Sequence, residues 1–319
     1  MANLSLLDLI TLQRNDPLTG LVEDVTTAAP EFDVFSAVPR SGTFYEVVRR
    51  VALPSIGFRN INAGTTPSKS TYKKEVKQMF LLDGLINVDE SILKADDKSS
   101  GDVWTLEAAG VLRAALIVLG AQTYYGTSAD AKGFVGLRSQ IAGSVAAGGT
   151  TNSTTAYLVD MDPKSGVRFD VGRDGAINMP PPMRQQLPDP NDATKSLFYW
   201  VSNLSCFIGL NVISDKAVWG VTGITAHQTN NVNDQGMTDY LASNLVSNIP
   251  VARRSGLRWF MNRTAYATLQ QSRTTINVAS GYSTQAVNAD GTGGFSPRPT
   301  FCEGYPITIT DSLTNTESN

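Results

Sequence analysis

Few side chains in this sequence could do covalent, acid–base or metal chemistry. The single histidine, His227, sits in Thr225-Ala226-His227-Gln228-Thr229, a run of small and polar loop residues. A Ser/His/Asp or Cys/His mechanism would have to use it, because imidazole is the usual base near neutral pH. No nucleophile-elbow sequence accompanies it, so a surface or structural histidine is expected. Cys206 and Cys302 are too few for a disulfide scaffold or a four-thiolate zinc site, and with His227 they lack paired ligand spacing. They read as small buried thiols. Asp160-Met161-Asp162-Pro163-Lys164-Ser165-Gly166 opens like a calcium loop, then places lysine fifth, serine sixth and no glutamate twelfth. A hairpin turn is the better reading. Gly291-Thr292-Gly293-Gly294 follows no strand and opens no helix, which argues against a phosphate cradle, and no Walker sequence occurs. No catalytic, cofactor-binding or metal residue is expected. The one catalytic alternative left open is a carboxylate-dependent hydrolase, since any two distant acids can meet in a fold.

Composition points the same way. The 319 residues are 41% hydrophobic, enough for one large domain or two ordinary ones. Charged residues make up only 17%, against roughly 25% in an average soluble domain. With 26 basic and 29 acidic residues, the net charge of −3 offers no global attraction for nucleic acid. Arg253, Arg254 and Arg258 form a compact basic cluster without interleaved stacking residues. Met1 to Ile10 carries Asp8 and lacks the basic start of a secretion signal, so the chain is expected to work in a cytoplasm or be released from one. The longest apolar block, Ala114 to Leu119, is far below the ~20 residues that span a bilayer, so no membrane partner is expected.

The elements read as follows. The first ~40 residues form an arm with two short helical stretches, one around Leu6, Leu7 and Ile10, the other around Leu21, Val22 and Val25 after Asp16-Pro17. Both are too short to be stable alone and need a surface to lie on. Residues 43–53 alternate, with Tyr45, Val47, Arg49, Val51 and Leu53 on one face and Phe44, Glu46 and Val48 on the other. A second strand-like run covers about 71–89. The 17 residues between them, Pro54 to Ser70, far exceed a compact hairpin loop of about two to five, which predicts a projecting hairpin arm. Its lysines are open to two readings, a solvated edge guarded by charge or an arm that meets acidic surface on a neighbour. A long helix is expected over 102–124, stopped by Gly126. Short strands follow at 157–159, 167–171, 198–201 and 218–221, with Trp200, Trp219 and Trp259 in the core. A helix over 237–248 should bury Met237, Tyr240, Leu241, Leu245 and Ile249. Another starts at an Asn262 cap, and a strand over 306–310 closes an α+β protein.

Several segments, in this order, resemble tailed-bacteriophage major capsid proteins of the Hong Kong 97 fold. They are Leu6-Leu7-Asp8-Leu9, Gly20-Leu21-Val22-Glu23 and Ala28-Ala29-Pro30-Glu31, then Gly42-Thr43-Phe44-Tyr45 and Leu53-Pro54-Ser55-Ile56-Gly57-Phe58-Arg59. Tyr125-Gly126-Thr127 and Gly133-Phe134-Val135-Gly136-Leu137 follow, then Phe260-Met261-Asn262-Arg263 with Leu269, and Glu303-Gly304-Tyr305-Pro306-Ile307 with Thr310-Asp311. The resemblance covers most of the chain, and the ordered set is more specific than any single string.

It implies an N-terminal arm at 1–42, an extended hairpin (E-loop) at 43–92, a peripheral domain at 93–235 holding the spine helix 102–124, and an axial domain with tail at 236–319. It implies a non-enzymatic shell protein that forms hexamers and pentamers, passes through a procapsid, and becomes an icosahedral virion capsid around double-stranded DNA, assembled in the host cytoplasm. The chain starts at Met1, which predicts no cleaved scaffolding segment and hence a separate scaffolding protein. A portal at one vertex, decoration or cement proteins, and non-specific contact with packaged DNA complete the expected partners. Phe58, Arg59, Lys69, Lys73, Lys74 and Lys77 are the expected inter-subunit contacts. The family's lysine–asparagine crosslink has no recognisable motif here. An encapsulin-like compartment is the same-fold alternative.

Overall fold

A computed structural model describes residues 25–95, 100–173, 178–189, 194–226, 235–280 and 299–317, with 26 and 28 excepted. The N-terminal half contains α1 (Glu31–Val34), β1 (Ala37–Pro39), β2 (Phe44–Ala52), β3 (Thr71–Gln78), β4 (Phe80–Asp89), α2 (Glu90–Ala95) and α3 (Ser100–Tyr125). Next come β5 (Gly143–Ala146), β6 (Thr154–Asp160), β7 (Val167–Val171), β8 (Met183–Pro188), β9 (Ser196–Val212) and β10 (Val218–Ile224). The chain closes with α4 (Asp239–Ser247), β11 (Leu257–Met261), α5 (Arg263–Ser280), β12 (Phe301–Cys302) and β13 (Tyr305–Ile309).

These strands build two sheets and a separate hairpin. One sheet runs β1-β7-β9-β4, with β8 also on β9; the other runs β12-β13-β11-β6-β10-β5; β2 and β3 pair only with each other. β6 reads Thr-Thr-Ala-Tyr-Leu-Val-Asp and is buried throughout, as a central strand covered on both faces must be. On one face Leu158, Trp219, Trp259 and Met261 pack with Leu245, Ile249 and Leu269 of the α4 and α5 region. On the other, Tyr157, Val159 and Phe260 meet Leu119 and Tyr124 from the end of α3 and Phe169, Ile208 and Leu210 from the first sheet. Phe35 joins the two sheets, stacked on Phe260 with centroids 5.1 Å apart and edge-on to Phe169 at 5.5 Å. A third cluster sets Val103, Trp104 and Val111 of α3 against Ile86 and Val88 of β4.

Local signals fixed the element types well. The expected helix over 102–124 is α3, and it ends where Gly126 takes a φ of +57°. A Cβ on Gly126 would lie 2.1 Å from the Gly136 amide nitrogen, so only glycine lets these two strands of backbone touch. Gly126→Ala should therefore destabilise the chain by ~2–4 kcal/mol in urea unfolding, adding a left-handed backbone penalty to overpacking. Asn262 does cap α5, its Oδ1 accepting from the Ala265 amide at 2.9 Å. Around α4, Met237 before it, Leu245 within it and Ile249 after it are buried as expected, but Tyr240 is exposed, because it falls off the stripe those residues define. Trp219 and Trp259 are core residues, whereas Trp200 is only partly buried. Cys206 and Cys302 are buried free thiols, and burial pushes Cys302 up to about 12.

Longer-range organisation departs from the local reading in three places. The run 71–89 is two strands, broken at buried Met79, where the chain leaves the hairpin and enters the sheet on β9. Asp160 to Gly166 is no hairpin turn. It is a crossover, because β6 pairs with β10 and β11 while β7 pairs with β9 and β1. Residue 235 does not separate two sheets either, since β5, β6 and β10 share a sheet with β11, β12 and β13. Finally, Val103–Ser128 is long and apolar enough to cross a membrane by length and composition, contrary to the expectation that no stretch reaches that size.

Candidate functional site

The hairpin arm is largely exposed, and its tip almost wholly so. Its register pairs Tyr45 with Lys77, Val47 with Glu75 and Arg49 with Lys73, so these residues share one face. That face is held to the body. Arg49 donates through Nη1 to Asp215 Oδ1 at 2.5 Å and to the Ile213 carbonyl at 3.4 Å, and through Nη2 to Glu75 Oε1 at 2.9 Å. Asn211 Nδ2 donates to the Tyr45 hydroxyl at 2.6 Å, and the Arg40 guanidinium lies over the Tyr45 ring. Burial opposes ionisation of Glu75, yet Lys77, Arg49 and Lys73 outweigh it and hold its carboxyl below the ordinary value. The opposite face carries exposed Phe44, Val48, Tyr72 and Val76, interleaved with Glu46, Arg50 and Lys74, and the Arg50 guanidinium lies over the Tyr72 ring.

The tip, residues 54–70, has no regular structure, and few internal bonds shape it. Ser68 Oγ donates to the Ser55 carbonyl at 2.9 Å, the Ala63 amide to the Asn60 carbonyl at 3.2 Å, and Arg59 Nη1 to the Ala63 carbonyl at 2.6 Å. Asn62 adopts the left-handed region with a φ of 67°, a conformation asparagine tolerates in turns. Ile56, Phe58 and Ile61 have relative exposures of 93%, 111% and 94%. Apolar side chains gathered at that exposure mark a surface awaiting a partner.

Of the six contact candidates named from the sequence, Phe58 lies fully exposed on this tip. Arg59 is engaged by the tip's own Ala63 carbonyl. The structure brings Lys73 and Lys77 together on Glu75, at 3.6 and 3.0 Å, and sets Lys74 on Glu46 at 2.5 Å. Three lysines expected to face a neighbour's acids thus have acids within the hairpin, worth at most ~1 kcal/mol each when exposed. Lys69 is exposed beside the start of β3. Sequence reasoning passed over Ile56 and Ile61, and it left Val48 and Val76 without a role. The available signal was an apolar residue at every second or third place in a loop otherwise made of Asn, Gly, Pro and Ser.

The other candidates serve the fold. Arg253 meets Asp160 at 3.5 Å, Arg254 caps the carbonyls of Ile249 and Ser247, and Arg258 donates to Thr308 Oγ1. Burial raises the Asp160 carboxyl above its ordinary value, opposed by the Asp162 amide and Arg253. His227 and Gly291 to Gly294 lie outside the described residues, as do Leu6 to Ile10 and Leu21 to Val22. Two buried acids tie chain ends to the body. Glu31 accepts from Thr310 Oγ1 and, at 3.5 Å, from Ser312 Oγ. Glu317 accepts from Tyr125 Oη at 2.9 Å and Thr155 Oγ1 at 2.6 Å.

A body with two well-filled sheets, an apolar arm left in solvent and a long helix little buried within its own chain is built to be covered by other subunits. That is the design of a shell protein. The family model described as Major capsid protein GP7 matches residues 38–319, and the chain belongs to this family of major capsid proteins. No curated protein matches it in sequence. Among solved structures, the near-atomic-resolution structure of bacteriophage Epsilon15 is similar at 15% identity, with a TM-score of 0.68, over 100% of this chain and 97% of that one. This likeness places the chain in the Hong Kong 97-type fold expected from its sequence. The capsid of the Myoviridae phage XM1 is similar at 11% identity, with a TM-score of 0.44, over 64% of this chain and 95% of that one. The SrpI encapsulin complex of Synechococcus elongatus PCC 7942 is similar at 10% identity, with a TM-score of 0.43, over 72% and 100%.

Proposed function

We propose that this major capsid protein assembles through hexamers and pentamers, by way of a procapsid, into an icosahedral head that encloses double-stranded DNA. The observation that carries the reading is the hairpin arm, whose apolar tip at Ile56, Phe58 and Ile61 and whose outer-face Phe44, Val48 and Val76 stand exposed to solvent. The arm, with the rest of 43–92, acts as the E-loop and lies on an adjacent subunit. Phe58, with Ile56 and Ile61, makes the contact, and Lys69, Lys73, Lys74 and Lys77 guard the edge and set its register. Strand pairing supports a peripheral unit of α3 with the β1-β7-β9-β4 sheet and an axial unit of the six-stranded sheet with α4 and α5, each drawn from more than one stretch of chain. The subunit performs no catalysis. A scaffolding protein directs its assembly in the host cytoplasm, and a portal occupies one vertex. Contact with DNA is non-specific and weak, because the net charge is −3 and the arginines of 253–258 are engaged within the fold.

Light scattering and electron microscopy of the purified full-length protein test this directly. Hexamers, pentamers or closed shells are expected. A monodisperse monomer at high concentration would remove the reading, and a small shell without a portal opening would favour an encapsulin-like compartment.

A further inference from the structure

At the root of the arm, β2 meets the β6–β7 crossover and the turn between β9 and β10, and these segments enclose an open cleft of about 440 Å³. That lies within the ~300–1,000 Å³ of small-ligand sites. Its wall carries Arg49, Lys164, Lys216 and Arg253 beside a single carboxylate, Asp215. Arg50 borders it too, but its guanidinium turns to the other face of β2, over Tyr72. The chain as a whole is negative, at −3, so this gathering of cations is local, and a concave wall of one sign focuses the field inside it.

The cations differ in how far the fold already uses them. Arg49 is occupied by Asp215, Glu75 and the Ile213 carbonyl, so it supplies charge rather than a donor. Arg253 is not saturated. Its Nη1 donates to Asp160 Oδ2 at 3.5 Å and to the Ser165 carbonyl at 3.4 Å, and its Nη2 to Ser214 Oγ at 3.2 Å, all long for N–H···O bonds. Its Nε–H and one Nη2–H meet no acceptor among the described residues. Lys164 and Lys216 are exposed and join no ion pair among the described residues. Asp162, the acid beside Lys164, is already held by the Lys164 amide at 3.1 Å and by Ser165 Oγ at 2.7 Å.

We propose that this cleft binds a phosphate dianion, free or as the terminal group of a nucleotide, through Lys164, Lys216 and Arg253. The donors stand on three separate segments, the crossover, the β9–β10 turn and the 251–253 turn after α4. Donors that approach from several sides suit a tetrahedral anion, whereas a side-chain carboxylate offers two oxygens in one plane. Two ammonium groups outside any ion pair match a dianion in charge, which favours a terminal phosphate over the singly charged diester of a nucleic-acid backbone. Asp215 at the mouth opposes the ligand and sets a limit on its affinity. Since Arg49 belongs to the arm and the donors to the body, a bound anion adds to the Arg49–Asp215 tie at the arm's root.

The test is a titration of the full-length protein, read by phosphorus nuclear magnetic resonance and calorimetry at low salt. Inorganic phosphate and ATP are the probes, and their separate curves tell a free anion from a nucleotide's terminal group. Saturable binding of one or both is expected, with acetate weaker by about tenfold or more for want of charge and oxygens. Lys164→Ala with Lys216→Ala should weaken phosphate binding by about tenfold or more while leaving the unfolding midpoint unchanged, as exposed substitutions do. Asp215→Asn should tighten it by about fivefold, because it removes a like charge at the mouth and frees Arg49 to donate. No saturation by either probe, acetate binding as tight as phosphate, or a lysine double variant that binds like the wild type would overturn the proposal. So would a duplex DNA that binds through these lysines when phosphate and ATP do not.

Discussion

Full-length protein carrying Phe58→Asp and Ile61→Asp is expected to stay folded yet fail to assemble at concentrations where the wild type forms particles. Neither side chain contributes to the subunit's own core, so far-ultraviolet circular dichroism and the unfolding midpoint should be unchanged. Burying a phenylalanine or isoleucine on a neighbour is worth roughly 1.5–3 kcal/mol each. Losing both raises the concentration needed for assembly by more than about a hundredfold at ~1.4 kcal/mol per decade, before the cost of desolvating two carboxylates. Deleting Asn60 to Ser70 should act in the same direction. Reversing Lys74 should do much less, because it exchanges an exposed pair with Glu46 for a mild repulsion. Particles forming at the wild-type concentration in the double variant would take the tip out of assembly altogether.

The second large effect concerns pH. Glu31 is fully buried, and the groups facing it are the hydroxyls of Thr310 and Ser312 and the Tyr124 ring, with no ion pair to any described cation. Burial raises its carboxyl above the ordinary value of 4.5, and hydrogen bonds from Thr310 and its neighbours recover only part of that. Below 4.5 the carboxyl is protonated in both folded and unfolded chains, and its full contribution to stability is present. As pH rises, the unfolded chain releases the proton first, and stability falls until the folded carboxyl also ionises. Each tenfold difference in proton affinity is worth ~1.4 kcal/mol. Glu31→Gln keeps the shape and the bond from Thr310 Oγ1, turns its amide nitrogen as a donor toward Ser312 Oγ, and cannot titrate. Its unfolding midpoint should match the wild type near pH 4 and exceed it increasingly toward pH 8. Asp160 and Asp170, also raised by burial, give both proteins a common slope, so the difference between the curves isolates Glu31. Curves that run parallel from pH 4 to 8 would show that Glu31 does not titrate in this way.

Much of this was legible in the residues, and what was not has a physical reason. The long helix, the Asn262 cap and the two faces of β2 follow from spacing, because each rests on contacts a few residues apart. The projecting arm followed from a loop too long to close a compact hairpin. The break at Met79 did not, since an alternating pattern runs through it unchanged and only the partner strand changes, from β2 to β9. The β6–β7 crossover was hidden for the same reason: Asp160 to Gly166 has turn chemistry whether the next strand returns to its own sheet or leaves it. At the site, Phe58 is exposed on the tip, while Lys73, Lys74 and Lys77 meet acids of the hairpin itself. Lys73 and Lys77 flank Glu75 two residues away on the same strand, and only the Lys74–Glu46 pair depends on cross-strand register, which composition does not reveal.

The order of the six-stranded sheet bears on how the protein is made. β6 lies between β10 and β11, and β11 is completed on its far side by β13. β13 leaves the ribosome about 44 residues after β11, a delay of roughly 2–9 s at ~5–20 residues per second. During that interval β11 has an open edge, and Trp259 still lacks the Cys302 carbonyl to which its ring nitrogen donates. A growing chain therefore cannot present a finished subunit to its neighbours, and polymerisation waits on release from translation. The same delay leaves the nascent sheet edge open to stray pairing, so the yield of folded subunit should respond to chaperone supply more steeply than the stability of the finished subunit would suggest.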